Sequence, residues 1–159
     1  MIDALDARLV ELLTAEPRVG VLEASRRLGV ARGTVQARLD RMQRRGVITG
    51  YGPDIDPAAI GHPVTAFVTL ELTQVRGRDQ VAERLARIGE ILEAHTITGS
   101  GDVLCRVVAR DNADLQRVID AIVEVPGVIR TSTVIALATT VRYRTTPLVR
   151  SVGSSRYPD

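Results

Sequence analysis

The sequence predicts an α+β protein in which an N-terminal helix-turn-helix domain of the winged-helix kind is followed by a ferredoxin-like βαββαβ domain. Two features of the 159-residue chain predict this class. Residues 1–50 combine helical apolar spacing with a dense cluster of arginines. Residues 64–142 alternate runs rich in β-branched residues with helical segments, in the order strand, helix, strand, strand, helix, strand.

The first two helices are predicted ahead of the arginine cluster. Asp3 can cap a helix whose leucines, from Leu5 onward, recur at helical spacing. Pro17 ends that helix, because the residue before a proline is driven out of the helical region. A second helix is predicted over residues 22–28, and Gly29 ends it in a left-handed conformation.

The third helix is predicted over residues 32–45, because Val35, Leu39 and Met42 form an apolar stripe at helical spacing. A short strand is predicted directly after it, over residues 47–49. Two short helices joined by a glycine-containing turn are the helix-turn-helix arrangement, in which the second helix enters the DNA major groove.

Positive charge is concentrated on this motif. The chain holds 21 basic residues, all of them arginine, against 19 acids. Seven of the arginines lie within residues 26–45, where Asp40 is the single acid. A charge run is often only a solvated helix face, but this run falls on the second helix of a helix-turn-helix. Its position therefore predicts binding to double-stranded DNA.

Positions on the third helix divide by the direction they face. Away from the apolar stripe, Arg32 is predicted to pair with guanine, Gln36 with adenine, and Asp40 to accept from cytosine. Arginines nearer the flanks of the stripe are predicted to bind phosphates. These are Arg38, Arg41 and Arg45. The complete predicted DNA-binding set is Arg32, Gly33, Thr34, Gln36, Arg38, Asp40, Arg41, Arg44 and Arg45.

The second half contains six predicted elements, of which the second and fifth are helical. Their spans are 64–73, 78–88, 91–98, 102–108, 112–125 and 128 to about 141. Turn residues in 51–63 indicate a linker, and the glycine, serines and prolines of 143–159 indicate a mobile tail. The predicted domains are residues 1–50 for DNA binding, 51–63 as linker, 64–142 as the second domain and 143–159 as tail.

Composition disfavours several other functions. One cysteine, Cys105, and two well-separated histidines, His62 and His95, leave no metal-ligand spacing. One phenylalanine, three tyrosines and no tryptophan disfavour a stacking platform for single-stranded nucleic acid. No apolar run is long enough to span a bilayer, and the first residues lack a basic secretory leader. We therefore expect a cytoplasmic protein with no membrane partner.

A series of motifs follows the chain in order. It comprises Leu5-Asp6 with Arg8 and Leu13, Glu23 with Arg27-Leu28-Gly29-Val30, Thr34-Val35 with Arg38-Leu39 and Arg41-Met42, Arg45-Gly46-Val47-Ile48 with Gly50-Tyr51, Asp56-Pro57 and Ile60-Gly61. Together they resemble the Lrp/AsnC (feast/famine) transcriptional regulators, over about residues 2–142. The resemblance implies that the second domain is the family's regulatory module, the RAM domain. It also implies homodimers that assemble further, for example into octamers.

The resemblance further implies a site for a small effector, commonly an amino acid, between RAM domains, with no other cofactor. The residues that match the family's T-G-x-x-D pattern are Thr98, Gly99, Ser100, Gly101 and Asp102, and those that match its T-x-T pattern are Thr131 and Thr133. Glycine turns expose backbone N–H groups that can hold a carboxylate, and Asp102 could hold an ammonium group. Without the resemblance, this loop would be an ordinary hairpin turn.

Some positions depart from the family's pattern. Ala31 stands where Ser or Thr usually caps the third helix, and Gly33 lies in that helix's first turn. The missing cap costs about 0.5–2 kcal/mol, and glycine costs about 1 kcal/mol relative to alanine. We therefore predict that the helix frays at its start in the absence of DNA. Gly101 stands where a larger residue is common, which predicts a roomier pocket, a bulkier ligand or no ligand.

Two other functions stay open at this point. A nucleoid-type architectural protein would use the same arginines with little sequence preference, and the ratio of specific to random DNA affinity separates it from a regulator. Tetrapyrrole decarboxylases are similar to this family in both domains, and His95 and Arg106 could supply part of such a site. The sequence shows no nucleophile–base pair and no phosphate loop, so we expect no enzymatic activity.

Overall fold

A computed structural model of the chain describes residues 2–73 and 78–154, which belong to two compact units. The described residues of the first unit are 2–53 and 141–154, and those of the second unit are 54–73 and 78–140. The elements in chain order are α1 (Ala4–Ala15), α2 (Val21–Leu28), α3 (Arg32–Arg44), a 3₁₀ turn (Ala58–Ile60), β1 (Val64–Leu72), α4 (Arg78–Leu85), β2 (Ile91–Thr96), β3 (Val103–Ala109), α5 (Asn112–Val123), β4 (Val128–Ala136) and α6 (Thr146–Ser154). No helix of the described ranges is long and apolar enough to cross a membrane.

Helix α1 begins with a reciprocal cap. The carboxylate of Asp3 accepts from the N–H groups of Leu5 and Asp6, both at 2.9 Å, and the Asp6 carboxylate accepts from the N–H of Asp3 at 3.1 Å. Three of the four orphan N–H groups that a helix start exposes are therefore satisfied within the first turn. The predicted cap at Asp3 is confirmed.

The turn between α2 and α3 is built around one glycine. Gly29 has φ 68°, in the left-handed region, and the N–H of Val30 donates to the carbonyl of Ser25 at 3.0 Å. The inner faces of the three helices meet in one apolar cluster. Its buried members are Leu9, Ala24, Val35, Leu39 and Met42. The predicted helix-turn-helix and its apolar stripe are both confirmed.

The short strand predicted over residues 47–49 is wrong. The N–H groups of Val47 and Ile48 donate to the Met42 carbonyl at 2.9 and 3.3 Å, after Gly46 at φ 68°. The chain therefore satisfies the last carbonyls of α3 instead of forming a ladder. Residues 45–63, all described, contain no strand that could pair with this segment.

The second unit is a four-stranded antiparallel sheet in the order β2-β3-β1-β4. Helices α4 and α5 contribute apolar residues to the core on one face, where alternate residues of β1 and β3 are buried, Val68 and Val107 among them. On the other face, Phe67 and Val134 are 39% and 66% exposed. Cys105 lies in the core, and burial raises the pKa of its thiol to about 11. The predicted ferredoxin-like order is confirmed.

Strand β4 ends earlier than expected. The predicted strand runs to about residue 141, but Ala136 is the last residue that pairs with β1, opposite Thr65. Because β1 itself begins at Val64, residues beyond Ala136 have no neighbouring strand, and Leu137 is almost fully exposed.

The tail predicted to be mobile contains a helix, so this prediction is wrong for residues 146–154. Helix α6 packs against α1 in the first unit, and the guanidinium of Arg150 lies 2.9 Å from the Glu11 carboxylate. Pro147 is tolerated because it stands in the first helical turn, where the N–H has no intrahelical acceptor. The glycine, serines and prolines of this segment therefore did not indicate its structure correctly.

Candidate DNA-binding surface and ligand site

Helix α3 presents its polar side to solvent. Arg32, Gly33, Gln36, Arg44 and Arg45 are exposed, whereas Thr34, Arg38, Asp40 and Arg41 are half-buried. The first turn has no side-chain cap: Ala31 occupies the N-cap position, and only its carbonyl accepts, from the N–H of Thr34 at 3.0 Å. The absence of a cap oxygen is as the sequence predicts, and the fraying that follows from it stays a prediction.

Two of the residues predicted to contact bases are bonded to each other. The amide Nε2 of Gln36 donates to Oδ1 of Asp40 at 2.8 Å, one helical turn away. Such an i, i+4 pair holds both side chains against the exposed face of α3. To bind a base edge, the two side chains must either contact the DNA as a bonded pair or break the hydrogen bond between them.

Arg38 and Arg41 point toward α1 and join an ion-pair network. Arg38 Nη1 lies 2.6 Å from Asp3 and 2.8 Å from Asp6, and Arg41 Nη2 lies 2.6 Å from Asp6. The sequence prediction that these two guanidiniums face phosphates overlooked this network. The available signal was Asp6 itself, which lies three residues before Leu9 and therefore on the buried side of α1.

The loop between β2 and β3 is held by Asp102. Its N–H donates to the Leu70 carbonyl at 2.8 Å, its Oδ2 accepts from the N–H of Leu72 at 2.8 Å, and its carbonyl accepts from the N–H of Ile97 at 3.0 Å. Gly99 has φ 109°, which favours glycine at that position. Of the predicted loop residues, Thr98, Gly99 and Ser100 are exposed, and Gly101 and Asp102 are half-buried.

Thr131 and Thr133 lie on the other side of β1. They stand opposite Leu70 and Val68, which places them on the helix-covered face of β4. Leu70 also pairs with Val103, so two strand spacings, about 10 Å, separate Val103 from Thr131. Within one chain, the structure does not bring the two parts of the predicted effector site together.

Gly101 packs directly on β1. A Cβ there would overlap Cγ2 of Thr69 and lie 3.2 Å from the Leu70 carbonyl oxygen. The Thr69 methyl therefore fills the space that a side chain at residue 101 would occupy, so Gly101 does not make the pocket roomier at this point.

An open cleft of about 430 Å³ lies between α4 and β2. Its walls are mainly apolar, and include Leu72, Val81, Leu85 and Ile91. Asp102 lines the same cleft, which links the loop to an apolar cavity of a size common for small ligands.

The strand residues weighed for catalysis are engaged with one exposed carboxylate. His95 Nε2 lies 3.3 Å from Glu93, and Arg106 Nη1 lies 3.5 Å from it. Within the described ranges, no three His, Cys, Asp or Glu side chains are grouped so as to hold a metal ion.

An arginine-rich second helix in a helix-turn-helix unit, joined to a ferredoxin-like unit with a glycine hairpin, defines a class of protein. That class is the DNA-binding regulator with a ligand-sensing domain. Comparison with known proteins agrees at both ends of the chain. Residues 2–43 match the AsnC-type helix-turn-helix domain, and residues 65–146 match the Lrp/AsnC ligand binding domain.

Relatives match over most of their length. An HTH-type transcriptional regulator of Pyrococcus abyssi is 32% identical over 133 residues, which is 83% of this chain and 84% of the relative. Regulatory protein AsnC of Escherichia coli K12 is 30% identical over 138 residues, 86% of this chain and 91% of that protein.

Solved structures share the fold. Escherichia coli AsnC superposes with a TM-score of 0.85 at 28% identity, covering 92% of this chain and 99% of that one. The feast or famine regulatory protein of Mycobacterium tuberculosis, complexed with L-methionine, gives 0.81 at 30% identity, covering 91% and 97%. This chain belongs to the Lrp/AsnC family and is a helix-turn-helix transcriptional regulator.

Proposed function

We propose that this regulator binds a pseudo-palindromic DNA site through paired α3 helices and that an amino acid bound to its RAM domains controls the binding. The observation that carries the proposal is the exposed polar side of α3, the second helix of the helix-turn-helix. In this motif the second helix lies in the major groove, and half-sites are about one helical turn, or a multiple of it, apart.

The residues of α3 divide into base and phosphate contacts. Arg32, Gln36 and Asp40 are assigned to base edges. Arg44 and Arg45, both exposed, are assigned to phosphates, and Gly33 and Thr34 allow the backbone of the first turn to approach the DNA. The ion pairs of Arg38 and Arg41 argue against the phosphate contacts that the sequence alone suggests for them.

The proposed effector site needs more than one subunit. Thr98–Asp102 forms one half, and a neighbouring subunit would bring its own Thr131 and Thr133 as the other half. The separation of the two halves by β1 within one chain supports this arrangement. The open face of the sheet, where Phe67 and Val134 are exposed, supports pairing with a second copy as the first step of assembly.

An amino acid with an apolar side chain fits this site. Asp102 would hold the ammonium group and the N–H groups of the glycine loop the carboxylate. The neighbouring cleft, with walls that include Leu72 and Ile91, would then receive the side chain. The Mycobacterium tuberculosis relative is complexed with L-methionine, which agrees with that class.

Isothermal titration with L-methionine, L-leucine and L-asparagine tests the effector assignment. Asp102→Asn keeps an oxygen that can accept from the Leu72 N–H but removes the charge that would hold an ammonium group. We expect the apolar amino acids to bind the unchanged protein and to bind this variant at least tenfold more weakly. Asp79→Asn, which removes an exposed acid from α4, is the matched control. Binding that survives in Asp102→Asn would contradict the role of Asp102, and no binding by any amino acid would contradict the site.

A further inference from the structure

The network that joins α1 to α3 is centred on a buried carboxylate. The Asp6 side chain is 1% exposed and accepts from Arg38, from Arg41 and from the N–H of Asp3. The Asp3 carboxylate, 52% exposed, accepts from the same Nη1 of Arg38 at 2.6 Å. Two acids of the first helical turn therefore hold two arginines of a helix that begins about 30 residues later in the chain.

We propose that Asp3 and Asp6 limit the sequence-independent part of DNA binding, because they withhold Arg38 and Arg41 from the phosphates. This acid clamp, as we name the pair Asp3 and Asp6, leaves base contacts and the outer arginines to determine affinity. The proposal rests on the proposed placement of α3 in the DNA groove.

Burial makes the clamp hard to open. If both guanidiniums turned to DNA phosphates, the buried Asp6 carboxylate would lose both of its ion-pair partners, which is strongly unfavourable. The two carboxylates raise the pKa of Arg38, and the Arg38 guanidinium lowers the pKa of Asp3, so both stay charged near neutral pH. The network consequently persists under the conditions in which the protein would meet DNA.

Withholding two arginines lowers the sequence-independent part of the affinity, for a specific site and for random DNA alike. Each phosphate contact releases counterions and adds about 0.9 to the slope of log affinity against log salt, whatever the sequence. Base contacts carry the discrimination and do not involve these two side chains. A clamp of this kind therefore keeps the sequence-independent part of the binding free energy small and leaves the base contacts unchanged.

The salt dependence of binding to a specific site and to scrambled DNA tests the proposal. Asp6→Asn keeps the size of the side chain and removes the charge, so it frees the two arginines in part. We expect tighter binding to the specific site and to scrambled DNA, and a slope steeper by about 1 to 2 on both. Glu11→Gln removes one acid from the same helix, where it pairs with Arg150 of α6, and controls for net charge. A network that merely stabilises the fold would weaken both kinds of binding and leave the slope unchanged, which would overturn the proposal.

A second variant decides the question if Asp6→Asn fails to fold. Arg41→Gln leaves Asp6 paired with Arg38, and the Arg41 side chain is 41% exposed, so the fold tolerates the change. We expect the salt slope to be unaltered, whereas Arg44→Gln lowers it by about 1. A slope that falls by about 1 in Arg41→Gln would show a phosphate contact and overturn the clamp. If Arg44→Gln has no effect, the placement of α3 is wrong, and the clamp fails with it.

Discussion

Gly101 and Thr69 are in direct contact, with the methyl of Thr69 occupying the space where a Cβ of residue 101 would stand. The Leu70 carbonyl, 3.2 Å from the same point, closes the position from the backbone side. A side chain at residue 101 would force the Thr69 side chain or the loop to shift. The path of the proposed effector loop is therefore set by a pair of residues on two different elements.

This contact predicts a non-additive pair of substitutions. Gly101→Ala should destabilise the protein by about 1–3 kcal/mol, the usual cost of overpacking. Thr69→Ser removes the opposing methyl, so the double variant should recover most of the loss. Urea unfolding of the two single variants and the double variant measures the coupling. Gly89→Ala, at a position with nothing within 4 Å of the new methyl, is the control. Strictly additive effects would mean that the two residues do not interact.

The uncapped start of α3 predicts that this turn can be stabilised. Ala31→Ser supplies the missing oxygen and should add about 0.5–2 kcal/mol of stability, and Gly33→Ala, which meets no neighbour, should add up to about 1 kcal/mol. Hydrogen exchange of residues 33–36 should be rapid without DNA and slower in both variants. Ala37→Ser, the same chemical change on an exposed position in the middle of α3, should bring no protection. Strong protection of these amides in the unchanged, DNA-free protein would refute fraying.

Gln36 should determine site preference and contribute little to overall affinity. Gln36→Ala should cost about 1–3 kcal/mol on the preferred site and leave binding to scrambled DNA nearly unaltered, because a base contact is lost and no phosphate contact is. Competition with sites substituted one base pair at a time identifies the position read. Gln116→Ala breaks an equivalent bond to Asp120 in α5 and should change neither affinity. An equal loss on both kinds of DNA would contradict the assignment of Gln36.

Asp114 should make the second unit sensitive to acid. Its buried carboxylate accepts from Arg110 at 2.7 Å and from Arg117 at 2.9 Å, and the bond with Arg110 is the main reason that the pKa of Asp114 lies far below its usual range. Because the pKa of Asp114 is lower in the folded than in the unfolded protein, its carboxylate stabilises the fold at pH values above its unfolded pKa of about 4. That contribution is lost as the pH falls toward the folded pKa.

The measurement is thermal unfolding of Asp114→Asn beside the unchanged protein. The difference in melting temperature should be largest near pH 7 and should narrow steadily below about pH 4. Asp120→Asn, an exposed acid on the same helix, should show a small difference that varies little with pH. If the difference in melting temperature between Asp114→Asn and the unchanged protein stays constant down to pH 2, the Asp114 charge does not stabilise the fold.

Local signals sufficed for most of the fold. Helical periodicity and Gly29 predict the helix-turn-helix, and β-branched runs predict the order of the sheet, because each depends on neighbouring residues. The errors arose where contacts with residues distant in the sequence determine whether a segment forms a strand or a helix. The strand at 47–49 lacks a pairing strand, and α6 forms on α1, which comes more than 130 residues earlier in the chain.

The same limit applies to the two sites. Periodicity indicates which side of α3 is polar, but not that Asp6 forms an ion pair with Arg38, 32 positions further along the chain. Likewise, the glycine pattern indicates a loop at residues 99–101, but not that Thr69 fills the space beside it. Such contacts depend on how elements pack together, which spacing along one element does not encode.

The central claim is that this chain recognises a particular DNA sequence under the control of an amino acid. Fluorescence anisotropy on DNA from upstream of its own gene, at fixed salt and against scrambled competitor, tests it directly when repeated with each common amino acid. We expect tight binding to the upstream DNA that one or two apolar amino acids alter several-fold. Equal affinity for the scrambled competitor would contradict the claim and favour an architectural protein that coats DNA without reading it.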